Sequence, residues 1–479
     1  MYIASFSFLA FALVVILAYN FHPSVSWRKW VLLIANLIFL MTFSQKPLIF
    51  VPLGGFLAFG FLSVWAIQRF HSAAAYLWIV FGTLLIFFWL KKYSFLPEVS
   101  FLRFTYTTLG LSYIFFRVMH LIIDANGREL GRRVDIISYL NFTLSFTTLV
   151  SGPIQRYPEF IEQHLAPLRP SLSIIDIGDG LERIVIGFFK VNVLGLVFSV
   201  IRNQAINTLS PNQSVGARAL TAATVAAFYT IYLYFNFSGY TDIVIGIAKF
   251  LRINLPENFN RPFSADNFLE FWNRWHITLS QWLKTYVYNP LLIVFMRRYP
   301  SETIEPLIGV AAFFLTFFLI GLWHGQTSEF IFFGFLLGMG ISVNKLFQIE
   351  MAKAIGKKQY KTLSNMWLYQ AVCRGFTFTF FSFSLLWFWS NWKSLEKMSR
   401  ALQLPALLLG WFFIFAASTI VLAAWEAIWV AARNLRWGGQ AVFRSRYVRT
   451  VWDTGLAFVL VALMEILSTS APDIVYKAF

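Results

Sequence analysis

The chain has 479 residues, of which 58% are hydrophobic, 19% are aromatic and only 13% are charged. Soluble proteins carry roughly a quarter charged residues, so the composition excludes an ordinary soluble protein and predicts a polytopic membrane protein. The net charge is +17, but the basic residues lie in short gaps between apolar runs, which indicates membrane topology and argues against nucleic-acid binding. A single cysteine, Cys373, excludes an intrachain disulfide.

Apolar runs recur along the whole chain. The first run, 1–19, has no basic region and no small-residue cleavage site, which predicts a retained membrane helix with its amino end outside. Because about 20 residues are needed to cross the hydrocarbon, the shorter runs are predicted to be tilted, re-entrant or buried. The other runs lie at about 30–43, 48–67, 75–90, 104–123, 136–151, 184–201, 219–250, 304–322, 328–347, 367–392, 404–432 and 451–468.

Loop charge gives a partial topology. The segments 345–361 and 433–449 are rich in Lys and Arg and are predicted to face the cytoplasm. Counting crossings forward from an external amino end puts 252–302 outside, whereas counting back from 345–361 puts it inside. The run 219–250 is about 48 Å long as a helix, too long for one crossing, so we predict a break at 236–240 that would restore the count.

Six histidines are the first candidates for chemistry. His22, His71 and His164 fall in predicted loops and are interpreted as solvated. His120 lies in a membrane run with charged residues at helical spacing, which favours a structural polar contact. His324 is different, because it lies between two apolar runs with a glycine on either side of it, at 321 and 325. Such glycines permit a bend and close packing, so His324 is either a helix-end residue bonded to carbonyls or a functional residue.

His276 lies in a polar segment, 263–284, in which aromatic residues recur every three or four positions. The pattern predicts one amphipathic helix, begun by Asn267 and Glu270 as a capping box, with His276 on its apolar face. A histidine in apolar surroundings needs either a partner or a function, and the spacing leaves both readings open.

A stripe of small and polar residues runs from Tyr232 through Asn236 and Gly239 to Asp242 and Gly246. A stripe of this kind faces protein or a cavity rather than lipid. Asp242 is interpreted either as a carboxylate that orients a histidine or as a structural residue.

Other catalytic patterns are absent from the sequence. It has no Gly-rich phosphate loop, no G-x-S-x-G elbow and no Cys/His metal spacing, and two histidines 48 residues apart make a poor metal site. They suit proton transfer from a hydroxyl that attacks an acyl carbon. No repeat or long polar tract divides the chain, so residues 1–479 are predicted to form one all-α membrane domain.

Five segments resemble signatures of the membrane-bound O-acyltransferase superfamily, in particular its bacterial branch of alginate O-acetylation and teichoic-acid D-alanylation membrane proteins. In chain order, and within a signature core of about 150–345, they are Ser151–Tyr157 (SGPIQRY), Phe237–Asp242 (FSGYTD), Leu255–Phe263 (LPENFNRPF), Arg274–Trp282 (RWHITLSQW) and Gly321–Gly325 (GLWHG).

The resemblance implies a ring of transmembrane helices around a central tunnel, with re-entrant or interfacial helices. It implies that His324 is the catalytic base and that His276 is a second catalytic residue that positions the donor carbonyl or the other imidazole. The other residues that it implies in the tunnel or in substrate binding are Trp323, Trp275, Trp282, Ser280, Tyr240, Asp242 and Asn236. The chain departs from the family pattern at Asn236, Lys284, Thr285, Phe333 and Leu337.

The resemblance also implies a function. The expected enzyme lies in the bacterial cytoplasmic membrane, in contact with lipid, and moves an acyl group, most readily acetyl from acetyl-CoA, from a cytoplasmic thioester across the membrane. The acceptor is a periplasmic or extracellular polysaccharide, reached through a partner acyltransferase, and no cofactor is permanently bound. D-alanyl transfer from a carrier-protein thioester to teichoic acid is the alternative, and a transporter or an export-complex scaffold is the non-enzymatic one.

Overall fold

The computed structural model describes residues 1–97, 101, 102, 104, 106, 108, 110–167, 171–301, 303–437, 440, 441 and 446–467. Within these residues the regular elements are helices and one antiparallel pair of two-residue strands, β1 (Arg436–Trp437) and β2 (Gln440–Ala441). Eight of the described helices are long and apolar enough to cross a membrane. The predicted fold class, an all-α polytopic membrane protein, is confirmed.

The chain forms two compact units. The first comprises Met1–Val191 and Phe237–Glu257. Its helices before residue 192 are α1 (Phe6–Phe21), α2 (Val25–Met41), a 3₁₀ turn (Pro47–Phe50), α3 (Val51–Phe70), α4 (Ala73–Lys91), α5 (Leu111–Gly127), α6 (Ile136–Thr143), α7 (Tyr157–Leu165) and α8 (Ile174–Phe189), which continues into a π-helical stretch (Lys190–Gly195).

The second unit comprises Asn192–Asn236 and the described chain from Asn258 on. Its elements are α9 (Leu196–Thr208), the amino-terminal part of α10 (Val215–Phe250), a 3₁₀ turn (Pro262–Ser264), α11 (Phe268–Trp272), α12 (Ile277–Leu283), a π-helical stretch (Lys284–Tyr288), α13 (Asn289–Arg298), α14 (Glu305–His324), α15 (Ser328–Ala354), α16 (Lys357–Ser364), α17 (Trp367–Ser384), α18 (Leu386–Trp389), α19 (Trp392–Asn434) and α20 (Arg446–Leu467). Part of the basic segment 433–449 lies outside the described residues.

Helix α10 is continuous over its 36 residues, so the predicted break at 236–240 is wrong. The two counts of membrane crossings therefore still disagree on the side of 252–302. The glycines of this region serve close packing instead. A Cβ on Gly239 would lie 2.7 Å from the carbonyl oxygen of Gly187, and one on Gly246 would lie 2.7 Å from that of Gly180. The small residues of α10 therefore let α8 approach it closely without bending it.

The apolar run 136–151 is helical only over α6, because a buried guanidinium binds the chain that follows. Arg117 of α5 donates hydrogen bonds to the carbonyl oxygens of Phe142, Thr143 and Thr148 at 2.8–3.1 Å. Carbonyls at a helix end lack intrahelical donors, and in an apolar interior each one left unsatisfied is costly. Arg117 therefore stabilises the turns that follow α6 in the first unit.

Candidate active site

The two glycines that flank His324 are required by packing. A Cβ on Gly321 would lie 2.3 Å from the Cα of Gly334 on α15, and one on Gly325 would lie 1.9 Å from the ring of Phe330. Carbon atoms in ordinary contact are at least 3.4 Å apart, so neither position accepts a side chain without displacing its neighbour. The predicted close approach at these glycines is confirmed, and it fixes the end of α14, where His324 is the last residue.

His324 is buried among aromatic rings, with 5% of its surface exposed. Its ring centroid lies 4.6 Å from that of Trp323, 5.1 Å from that of Phe388 and 6.0 Å from that of Phe333. Phe388 belongs to α18, a four-residue helix that sequence reasoning did not single out. An imidazole in these surroundings is shielded from water, which strengthens the electrostatic interactions that it makes.

The segment around His276 is not one amphipathic helix, and that prediction is wrong. Asn267 does cap a helix, as predicted, but α11 ends at Trp272 and α12 begins at Ile277. The break arises because the chain at 258–260 pairs with 274–277: Asn260 donates its N–H to the carbonyl of Arg274, and Ile277 donates its N–H to the carbonyl of Asn258. His276 is still buried, but it caps α12 instead of lying on a helix face.

His276 has a left-handed backbone, with φ 46° and ψ 51°. This conformation costs a non-glycine residue about 1–2 kcal/mol, and such strain is concentrated at functional sites. Its Nδ1 atom lies 3.2 Å from Oδ1 of Asn258. Burial lowers the pKa of His276 to about 3, so the imidazole is neutral at physiological pH.

Trp323 joins the two histidines. Its ring packs edge-on against His276 at 6.3 Å between centroids and contacts the ring of His324 at 4.6 Å. The structure therefore brings His276, Trp323 and His324 together within the second unit, although they are far apart in the sequence.

Three other predicted site residues also belong to the second unit. Trp275 packs in an aromatic cluster with Phe259 and Phe381 at about 5 Å, which is a core position. Trp282 packs against Tyr286 at 5.0 Å. The hydroxyl oxygen of Ser280 is buried and has no hydrogen-bond partner among the described residues, which leaves it available to a bound molecule. A role in lining a tunnel stays a prediction for all three.

The stripe on α10 divides between the units. Asn236 is fully buried in the second unit, whereas Tyr240 and Asp242 belong to the first. The hydroxyl of Tyr240 accepts a 3.3 Å hydrogen bond from the N–H of Ser151. This contact joins the segments Phe237–Asp242 and Ser151–Tyr157 in the first unit.

Asp242 forms ion pairs with two cations that sequence reasoning missed. Arg183 lies 3.1 Å from one carboxylate oxygen and Lys190 lies 2.7 Å from the other. Arg183 also binds both oxygens of Glu257, from the segment Leu255–Phe263. These contacts correspond to the structural alternative for Asp242. The signal available in the sequence was the one cation, at 183, among the acidic residues of the amphipathic helix α8.

The remaining histidines are accounted for by their contacts. His22 and His71 are exposed, as predicted. His164 is fully buried in α7 with its Nδ1 3.0 Å from the hydroxyl of Tyr19, so its placement in a solvated loop is wrong. His120 binds Asp124 through Nδ1 and accepts the N–H of Tyr157 at Nε2, which is the predicted structural contact.

No three His, Cys, Asp or Glu side chains in the described part of the chain are grouped closely enough to hold a metal ion. The second unit contains an apolar cavity of about 250 Å³, between α9, α10, α17 and α19. Neither histidine lines this cavity, so the tunnel expected at the histidines stays a prediction.

The comparison with protein families agrees with this site. The membrane-bound O-acyltransferase family matches residues 60–383, which is more than half of the chain and includes both histidines. The chain therefore belongs to the membrane-bound O-acyltransferase family, and the predicted class of enzyme, an O-acyltransferase, is confirmed.

Curated relatives share about 30% of the aligned residues. The teichoic acid D-alanyltransferase of Bacillus subtilis is 29% identical over 56% of this chain and 67% of its own length. The peptidoglycan O-acetyltransferase of Helicobacter pylori is 32% identical over 56% of this chain and 46% of its own length. A probable alginate O-acetylase of Pseudomonas aeruginosa is 28% identical over 52% and 44%, respectively. The alignments thus cover less than half of two of these relatives and two thirds of the third.

Proposed function

We propose that this chain takes an acetyl group from acetyl-CoA on the cytoplasmic side of the bacterial cytoplasmic membrane. It transfers this group to a hydroxyl of an envelope polysaccharide, or of a partner acyltransferase that passes it on to the polysaccharide. The observation that carries the proposal is the buried group of His276, Trp323 and His324 in a chain of the O-acyltransferase family. The proposed enzyme forms one membrane domain, and its histidines face a tunnel between the donor and acceptor sides.

The chemistry requires one base. The acceptor oxygen attacks the carbonyl carbon of the thioester, and His324 takes the hydroxyl proton as the new C–O bond forms. The C–S bond then breaks, and the thiolate of coenzyme A receives the proton from His324. The products are an acetyl ester and free coenzyme A, so the imidazole returns to its starting state. Burial of both histidines excludes water, which would otherwise hydrolyse the thioester.

The relatives support acetyl as the transferred group and a polysaccharide as the acceptor. Two of the three relatives reported above are a peptidoglycan O-acetyltransferase and a probable alginate O-acetylase, and peptidoglycan and alginate both contain polysaccharide chains. The acceptor of this chain is therefore proposed to be a polysaccharide, or a partner acyltransferase that relays the acetyl group to it. The match to teichoic acid D-alanyltransferases favours D-alanyl transfer from a carrier protein as the second candidate.

A single substitution tests the proposal. Membranes from cells that express His324→Ala are expected to transfer no radiolabelled acetate from acetyl-CoA to base-labile products, while the protein level stays normal. His22→Ala, at an exposed histidine, is the matched control and is expected to keep the activity of the parent chain. Unchanged transfer in His324→Ala would reject the catalytic role of His324. A transporter or an export-complex scaffold would then be the remaining function.

The two donors are distinguished by the ester that the envelope carries. Mild base releases acetate from O-acetyl esters and D-alanine from D-alanyl esters, and both can be quantified in the same envelope sample. Loss of acetate in His324→Ala supports the proposal. Loss of D-alanine with unchanged acetate would replace it with the second candidate.

A further inference from the structure

The side-chain amide of Asn258 lies at the centre of a small hydrogen-bond network next to His276. Its Oδ1 atom accepts the N–H of Thr278 at 3.2 Å and the hydroxyl of Thr278 at 2.9 Å. The same oxygen lies 3.2 Å from Nδ1 of His276. Asn258 and Thr278 are both buried, with 1% and 3% of their surfaces exposed. The network therefore lies in a dry interior, where each hydrogen bond has a defined direction.

The direction of these bonds fixes the proton on His276. A backbone N–H can only donate, so the Asn258 atom that faces Thr278 must be the carbonyl oxygen and cannot be the amide nitrogen. An oxygen that already accepts two hydrogen bonds has no proton to give to His276. Nδ1 of His276 must therefore be the donor, and in the neutral ring the lone pair is at Nε2.

We infer that Asn258 and Thr278 are positioning residues that hold His276 as its Nδ1–H tautomer, so that Nε2 accepts a hydrogen bond from a hydroxyl group of the acyl acceptor other than the one that is acylated. This inference rests on the proposed function, because it assigns a substrate group to a residue of the same site. A thioester carbonyl can only accept hydrogen bonds, so it is not the group that His276 binds. His276 would orient the acceptor through this second hydroxyl, while His324 takes the single proton of the hydroxyl that attacks.

The side-chain amide of Asn258 has a second polar end. Its Nδ2 group is buried and has no hydrogen-bond partner among the residues that the structure describes. Most buried polar atoms in proteins have a hydrogen-bond partner. Half of this amide is therefore used to hold His276, whereas the other half remains a donor in the same interior.

The test uses membranes of the full chain with acetyl-CoA and measures the rate and pH dependence of acetyl transfer to base-labile products. Thr278→Val removes the hydroxyl donor at nearly constant volume, and we expect the rate to fall several-fold. Thr278→Ser keeps the hydroxyl and is expected to recover most of that loss. Thr316→Val is the matched control, because Thr316 is equally buried in the second unit and its hydroxyl bonds only within α14, to Ala312.

Asn258→Asp tests the pH profile of the transfer rate, which would stay the same if Asn258 had only a structural role. A carboxylate beside Nδ1 stabilises the imidazolium, so the fall in rate at acidic pH is expected to begin at least about one pH unit higher than in the parent chain. Asn258→Ala is expected to lower the rate about 10- to 100-fold, the loss seen when the group that orients a metal-binding histidine is removed.

The outcomes separate the inference from the proposed function. An unshifted pH profile in Asn258→Asp, or a Thr278→Val rate equal to that of Thr316→Val, would overturn the inference while His324→Ala remains inactive. Absence of base-labile acetyl transfer by the parent chain would instead overturn the proposed function. Where Asn258→Ala fails to accumulate, the Thr278 pair and the pH profile decide the question.

Discussion

Gly321→Ala is the substitution for which the structure gives the clearest expectation. In an exposed helix interior this change is favourable by about 1 kcal/mol, because alanine has the better helix propensity. In α14 the new Cβ would lie 2.3 Å from the Cα and backbone nitrogen of Gly334, whereas ordinary contact begins at 3.4 Å. The two helices would have to separate by about 1 Å, and a gap of that size forfeits a quarter to a half of each dispersion contact between them. We expect a net loss of about 2–3 kcal/mol in the free energy of unfolding.

Gly309→Ala is the matched control, because Gly309 lies on the same helix and its nearest neighbour would be the hydroxyl of Tyr288 at 3.8 Å. Thermal unfolding of the two detergent-solubilised variants measures the difference. Gly321→Ala is expected to melt well below the parent chain and to lose acetyl transfer as His324 is displaced, whereas Gly309→Ala melts at or above it. Equal melting temperatures for the two variants would refute the close packing of α14 on α15.

Three further predictions follow from the site and its surroundings. Asp242→Asn removes the charge shared by two cations, and we expect about 2 kcal/mol of destabilisation by thermal unfolding, against little change in Asp179→Asn, whose ion pair with Lys249 is longer at 3.8 Å. Since burial lowers the pKa of His276 from 6.5 to about 3, the unfolded chain binds more protons below pH 6.5, and stability is lost as the pH falls, by about 2 kcal/mol at pH 5. His276→Gln should remove this part of the pH dependence, and an identical dependence in both proteins would contradict it. Phe388→Leu is expected to lower the transfer rate about 2- to 30-fold at normal protein level, with Phe388→Tyr close to the parent chain, whereas equal rates in the Leu and Tyr variants would contradict a role for the ring.

Much of the helical content follows from the sequence, because a backbone in lipid must satisfy its own hydrogen bonds and long apolar runs can do so only as helices. The run 328–347 lies within α15, and the run 304–322 corresponds closely to α14. The error at 236–240 has a physical cause: glycine and serine are compatible with a bend and with close packing. The helix that packs on Gly239 is more than 40 residues earlier in the chain, and nothing local to α10 indicates it.

The sequence predicted which residues belong to the site better than it predicted how they are arranged. His276 and His324 were singled out by their surroundings in the sequence and by family resemblance, and the structure places both next to Trp323. The break before His276 could not be predicted, because the helical period of the aromatic residues continues through it. What decides the conformation is the pairing with the chain at 258–260, which competes for the backbone N–H and carbonyl groups that a continuous helix would use.

The surroundings of the two histidines differ in kind, and the difference suits two separate tasks. His276 is held by an amide oxygen that fixes its proton at Nδ1, which suits a residue that orients a substrate group and does not change its charge. His324 is surrounded by the rings of Trp323, Phe388 and Phe333. Where an aromatic ring presents its face, it attracts an imidazolium more strongly than a neutral imidazole, so we expect the stabilisation by these rings to develop as the proton arrives. An interaction that strengthens on the way to the transition state is one that accelerates the reaction, and it favours His324 as the base.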